Sequence, residues 1–250
     1  AHLIKLMETE PIWDLLDQDE FVDMVFHIMI PGTEIITPIR DLRLSREEEI
    51  SYLQSKGVEM NFQKALYSIN KGLWGTSVGG KETLSSKGML PEEAWPTQVT
   101  KKGTEEVRID YVKGEPVGIN GQQFNHPTEA IRLLQQMAGP YGIGRDIHVG
   151  DTIIGIKGRV GFEAAAPILI LKGHHALEKH VLTKWQLQWK DTLSQFYGNW
   201  MHEGQILDPV MRDIEAYLTS SQETVTGSVF LQLMPYRFSI TGIESQHDLM

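Results

Sequence analysis

Apolar positions along this chain change period several times, and each change marks an element. Within residues 9–29 they fall at Ile12, Leu15, Leu16, Val22, Val25 and Phe26, a helical spacing. "EIITPI" (34–39) is a short apolar run that meets a proline, the pattern of a buried strand. Over 45–57 a helix is signalled at both ends: Ser45 and Glu48 form a capping box, and Gly57 supplies a left-handed stop. Strand, helix and glycine together read as one α/β unit. Residues 67–103 lose periodicity and collect Gly, Ser, Lys and Pro, which predicts a long loop region. From Thr104 the apolar period becomes two, at Val107, Ile109 and Tyr111, with turns at Gly114 and at Asn120-Gly121, the signature of an antiparallel meander. A helix follows between Pro127 and Gly139, then a strand over 151–159. Helices are expected over roughly 163–180, 183–203 and 208–222, the last opened by Asp208 and Pro209. Two alternating strands, "GSVFLQL" and "RFSITGI", close the chain. The sum is an α+β fold, a mostly antiparallel sheet with a cluster of helices.

Length and composition narrow the function classes. A chain of 250 residues can bury a substantial core. A net charge of −10 argues against a general nucleic-acid binder, though not against a local basic pocket. With no cysteine there is no disulfide, thiolate metal site or cysteine nucleophile, which suits a reducing, cytoplasmic setting. The apolar run "AAAPILIL" is too short to span a bilayer, and the acidic first ten residues do not read as a signal peptide. A start at Ala1 and an end just after a strand-like segment are what a fragment would show.

Three clusters could carry chemistry. Gly75, Gly80 and Lys81 spell most of a phosphate-binding loop, but Glu82 stands where that motif needs Ser or Thr, and no buried strand precedes it. The plainer reading is a glycine-rich surface loop. "GHHALEKH" gathers His174, His175, Glu178 and His180, either an incidental polar helix end or a metal site in neither of the usual zinc orders. "GIKGRVGFE" joins Lys157, Arg159 and Glu163 through glycines. The two cations could hold a carboxylate or phosphate, or simply be solvated at a strand end. Trp185, Trp189, Phe196, Tyr197 and Trp200 recur at helical spacing, as core or a subunit contact.

Five ordered stretches carry a resemblance: "IITPIRDLRLSREEEISYL", "YSINKGLWGTSVGGKE", "YGIGRDIHVGDTIIGIKGRVGFEAAAP", "LTKWQLQWK" and "PVMRDIEAYLTSSQ". Over about 23–250 the sequence resembles argininosuccinate synthase, in the form of Bacteroidetes-like bacteria. The resemblance implies a cytoplasmic homotetramer that joins citrulline and aspartate with ATP and magnesium, through a citrullyl-adenylate, and releases AMP and pyrophosphate. It implies that 1–60 is a remnant of an α/β ATP-pyrophosphatase domain, and 61–250 a synthetase and oligomerisation domain. It places Ser68 and Ser77, nine apart, at the citrulline head group, and so gives the glycine-rich loop to an amino acid rather than a triphosphate.

Departures from the family pattern shape the remaining expectations. The family's N-terminal ATP loop and its glycine-rich aspartate and citrulline stretch are absent from these 250 residues, and 1–22 match nothing in it. The chain alone is therefore expected to bind no ATP and to be inactive. A citrulline-binding Glu and Tyr of the family align with Gly150 and Phe162, and Asp151, one residue along, is the candidate replacement carboxylate. The expected citrulline site is Ser68, Ser77, Asp151 and Phe162, with Lys157 and Arg159 as anion-binding neighbours in the same pocket. The catalytic residues are not identified, no metal ligands are assigned, and no nucleic acid or membrane partner is expected. The competing reading is a non-catalytic relic or paralogue that serves as an assembly module.

Overall fold

The computed structural model describes residues 26–32, 34–36, 41–42, 44–58, 67–151 and 157–250. Helix α1 (Arg46–Ser55) has the expected capping box: the Glu48 amide donates to Ser45 Oγ, and Glu48 accepts from the Ser45 amide at 2.7 Å. Gly57 follows at φ +76°. Most of the helix expected over 9–29 lies outside the described residues, apart from a helical turn at 26–29. The strand expected over 34–39 is not present in its described part, 34–36, where Ile36 is exposed.

Two antiparallel sheets organise the rest. The larger has strand order β5-β4-β3-β8-β9, from β3 (Glu105–Val112), β4 (Glu115–Ile119), β5 (Gln122–Gln123), β8 (Gly227–Met234) and β9 (Arg237–Glu244). Period-two alternation sends Val107, Ile109 and Tyr111 of β3, and Val229, Leu231 and Leu233 of β8, to one buried side. Helices α2 (Pro127–Ala138) and α3 (Ala165–Val181) cover that side with Ile131, Leu134, Leu169, Ile170 and Leu177. Each such side chain contributes about 1.5–3 kcal/mol by leaving water. Gly173 lets α3 approach the sheet closely, since a Cβ there would lie 3.0 Å from the Tyr111 hydroxyl. That hydroxyl donates to the Ile170 carbonyl at 2.9 Å.

Helices α4 (Lys184–His202) and α5 (Pro209–Ser221) form a hairpin around Tyr197, Met201, Met211, Ile214 and Leu218. The aromatic stripe divides between two faces. Tyr197 is buried and Trp200 packs beside it, while Trp185, Trp189 and Phe196 are exposed. Tyr197 donates to Glu215 at 2.7 Å, and burial followed by that carboxylate pushes its hydroxyl pKa up.

The histidine cluster becomes a buried polar junction. Glu178 accepts from Lys190 Nζ and from Gln222 Nε2, each at 2.8 Å. Gln222 therefore turns its oxygen to His174 Nε2 at 2.8 Å, which makes that nitrogen the protonated one. Burial alone would raise the Glu178 carboxyl; His174, His175 and Lys190 outweigh it and hold the carboxyl below its ordinary range. The junction ties α3 to α4 and to the end of α5. Among the described residues no group of three His, Asp or Glu is placed to hold a metal ion.

The smaller sheet has order β1-β2-β7-β6, from β1 (Ser68–Lys71), β2 (Thr76–Gly79), β6 (Arg145–Asp151) and β7 (Lys157–Glu163). It revises two expectations. Residues 67–103 are not all loop, because a polar hairpin with too little apolar alternation to announce itself begins the region. One strand over 151–159 is replaced by two, which pair with each other down to Asp151 opposite Lys157.

Candidate functional site

The β1–β2 hairpin turns through 72–75, where the Gly72 amide donates to the Gly75 carbonyl at 2.8 Å. Gly75 sits at φ +157°, and a Cβ on it would lie 2.4 Å from the Phe162 ring. Glycine is needed here to seat that ring. Past the hairpin, the Gly80 amide bonds Thr83 Oγ1 at 3.1 Å, and 81–84 form a single 3₁₀ turn. The Glu82 carboxylate lies beside Tyr67; burial, and then Glu82, raise the Tyr67 pKa. With that amide occupied and a carboxylate in place, the near-motif at 75–81 forms no phosphate cradle.

Directly opposed residues in an antiparallel sheet share a face. Asn70 opposes Ser77, Ser77 opposes Phe162, and Phe162 opposes Asp146, so one row crosses all four strands on one face. Ser68 and His148 project from the same face by the two-residue period. The register puts Ser68, Ser77 and Phe162 on one face. Ser68 is exposed, Ser77 half-buried and Phe162 buried. Neither serine hydroxyl donates a hydrogen bond to another described residue.

The same register corrects the expectation of one shared pocket. Asp151, Lys157 and Arg159 stand at odd positions with Arg145 and Glu163, on the opposite face. Asp151 and Lys157 pair with each other in solvent. Arg159 clamps a loop, donating to the carbonyls of Glu82 (3.2 Å), Ser85 and Gly88. Its donors are thus directed at backbone rather than at an incoming anion.

That second face is closed by segment 80–98. Val78, Leu90, Ala94 and Trp95 are its small core, and Leu90 lies where a Cβ on Gly161 would be. Arg145 latches it: the guanidinium bonds Glu92 at 2.8 and 3.0 Å and the Thr97 carbonyl, and lies 5.2 Å from the Trp95 ring centre. Glu163 accepts from the Thr97 hydroxyl at 2.6 Å and from its amide at 3.2 Å. The closed face uses its charges for structure, while the Ser77 face carries polar groups that this segment leaves uncovered. Sequence reasoning missed Asn70, Asp146 and His148 on that face. Period-two counting from Ser68 would have found Asn70; Asp146 and His148 needed the β6–β7 register.

The family described as Arginosuccinate synthase C-terminal domain matches residues 67–250. The chain is 37% identical to the argininosuccinate synthase of Methanocaldococcus jannaschii over 236 residues, covering 93% of this chain and 59% of that protein. It is 34% identical to the argininosuccinate synthase of Dictyoglomus thermophilum, covering 91% of this chain and 58% of that one. It thus spans under two thirds of the length of these relatives.

Proposed function

Because this chain belongs to the argininosuccinate synthase family, we propose that it is the synthetase portion of an ATP-dependent ligase that joins citrulline and aspartate into argininosuccinate for arginine biosynthesis. The observation that carries this reading is the placement of Ser68 and Ser77 on one face of the smaller sheet, the face opposite segment 80–98, beside Phe162. Hydroxyls both donate and accept, so the pair suits the carboxylate and ammonium of an amino-acid head group. Phe162 supplies an apolar floor, without the hydroxyl that the family's tyrosine would add. Asp151 has no part in this site, because its strand position aims it away.

In this reading residues 1–60 are the remaining part of an ATP-pyrophosphatase domain and 61–250 the synthetase domain. ATP and magnesium belong to the intact ligase, which assembles as a cytoplasmic homotetramer, and the chain alone turns over no substrate. The exposed Trp185, Trp189 and Phe196 favour a subunit contact on α4. Among the described residues no helix is long and apolar enough to cross a membrane.

The test is steady-state kinetics of Ser77→Ala in the full-length protein. The variant is expected to raise the KM for citrulline by the equivalent of about 1–3 kcal/mol, leaving the KM for ATP unchanged. An unchanged citrulline KM refutes the site. A second reading, an assembly module without nucleotide chemistry, is favoured by Gly150 and Phe162, which lack the family's carboxylate and hydroxyl. Calorimetry of this chain with ATP and magnesium addresses it. No binding is expected; micromolar affinity, about −8 kcal/mol, would remove both the assembly-module reading and the assignment of ATP to another domain.

A further inference from the structure

The open face of the smaller sheet carries a carboxylate that the family comparison does not point to. Asp146 opposes Phe162, which opposes Ser77, so a hydroxyl and a carboxylate flank the buried Phe162 ring in one cross-strand row. Their backbones are two strand spacings apart, about 10 Å. Two charge-assisted hydrogen bonds of about 2.8 Å and the short span between an ammonium and a carboxylate on one carbon fill that gap. Asp146 is exposed, and one of its oxygens accepts from the Ile147 amide at 2.7 Å. That bond orients the carboxylate, and among the described residues its other oxygen meets no hydrogen-bond donor.

We infer that Asp146, rather than Asp151, is the carboxylate that receives the α-ammonium of the amino-acid substrate, with Ser77 donating to the α-carboxylate across Phe162. The inference rests on the reading of this face as the citrulline site. It answers a specific deficit. Gly150 and Gly158 form the pair two steps further along the same face, beyond His148 and Val160, and carry no side chain, so the charge that neutralises the ammonium must come from another position on that face. Asp151 cannot supply it, because a one-residue step along a strand reverses the side-chain direction. Asp146 stands four residues from Gly150 on the same strand, and four is an even step that keeps the face. The ligand class follows: an α-amino acid with a free ammonium, in preference to an analogue without one.

The test compares Asp146→Asn, Asp151→Asn and Ser77→Ala in the full-length protein, with citrulline as substrate and 5-ureidopentanoate, its amine-free analogue, as competitor. Asp146→Asn is expected to lower kcat/KM for citrulline about 10- to 100-fold, with unchanged KM values for ATP and aspartate. Preference for citrulline over the amine-free analogue should collapse in the same variant, a change that a merely structural role would not produce. Thermal unfolding should be unaltered, because the side chain is exposed. If Ser77→Ala impairs citrulline use while Asp146→Asn stays within about twofold of the parent, the inference falls and the citrulline site stands. If neither variant affects citrulline, both fall. A loss in Asp151→Asn alone, or equal losses for citrulline and the amine-free analogue in Asp146→Asn, also overturns the inference.

Discussion

The two sheets are held together by different physics. The five-stranded sheet is held by area: Ile109, Tyr111, Leu231 and Leu233 are sealed under Leu134, Leu169 and Ile170, and its helix layer is joined by one buried charged junction. The four-stranded sheet has a much smaller apolar core, and its closed face depends on Arg145 and Arg159 latching one segment through carbonyls and a carboxylate. Among the described residues no arginine latches its other face in this way. The two sheets are joined in sequence where β7 runs into α3.

The largest effect should come from the charged junction beside the large sheet. Lys190→Met leaves Glu178 buried with Gln222, His174 and His175 but without its lysine, and should cost about 3–5 kcal/mol in denaturant unfolding. A loss below 1 kcal/mol would place the junction's role elsewhere. The same ion pair should appear in the pH dependence of stability. The folded-state pKa of Glu178 lies below the ordinary 4.5, so its contribution is present above about pH 4.5 and is lost as pH falls toward the folded value. Unfolding midpoints measured from pH 7 downward should show this acid limb, and Glu178→Gln should flatten it while lowering stability at neutral pH.

Arg145→Met tests the latch. It should cost about 1–3 kcal/mol and speed amide hydrogen exchange across 80–98, with little change in β3 or β8. Uniform acceleration throughout the chain would mean that the two sheets unfold as one unit. Ser68→Ala, on the open face, should leave stability within about 0.5 kcal/mol of the parent. A larger loss would show that this face is covered and structural, and would erase the contrast with the closed face.

How much of this was legible in the sequence depended on how strongly each element announced itself. The meander at 104–124, the three helices between 163 and 222 and the closing strands carry apolar periods, caps and prolines, and they stand where the pattern put them. In hairpin β1–β2, Thr76, Ser77 and the nearby glycines give no apolar alternation, which predicts loop; pairing of β2 with both β1 and β7 makes them a strand. Ser68 and Ser77 are identified by resemblance, which keeps order along the chain but not direction in space. The expectation for Asp151 meets that limit. Neighbours in sequence are opposites across a sheet, so a carboxylate one position from the expected one points the wrong way.

The sequence by itself determined the fold class, the caps, the family and the candidate serines, because these depend on local propensity, period and ordered motifs. Tertiary structure alone decided which polar residues share a face, that His174 and Glu178 enter a buried ion-pair junction, and that Arg159 clamps a loop. Each of those depends on strand register or helix packing between residues far apart in the chain: Arg159 and Gly88 are 71 positions apart, and His174 and Gln222 are 48. No local window contains both partners, so hydrogen bonding and burial fix these roles only once the chain has folded.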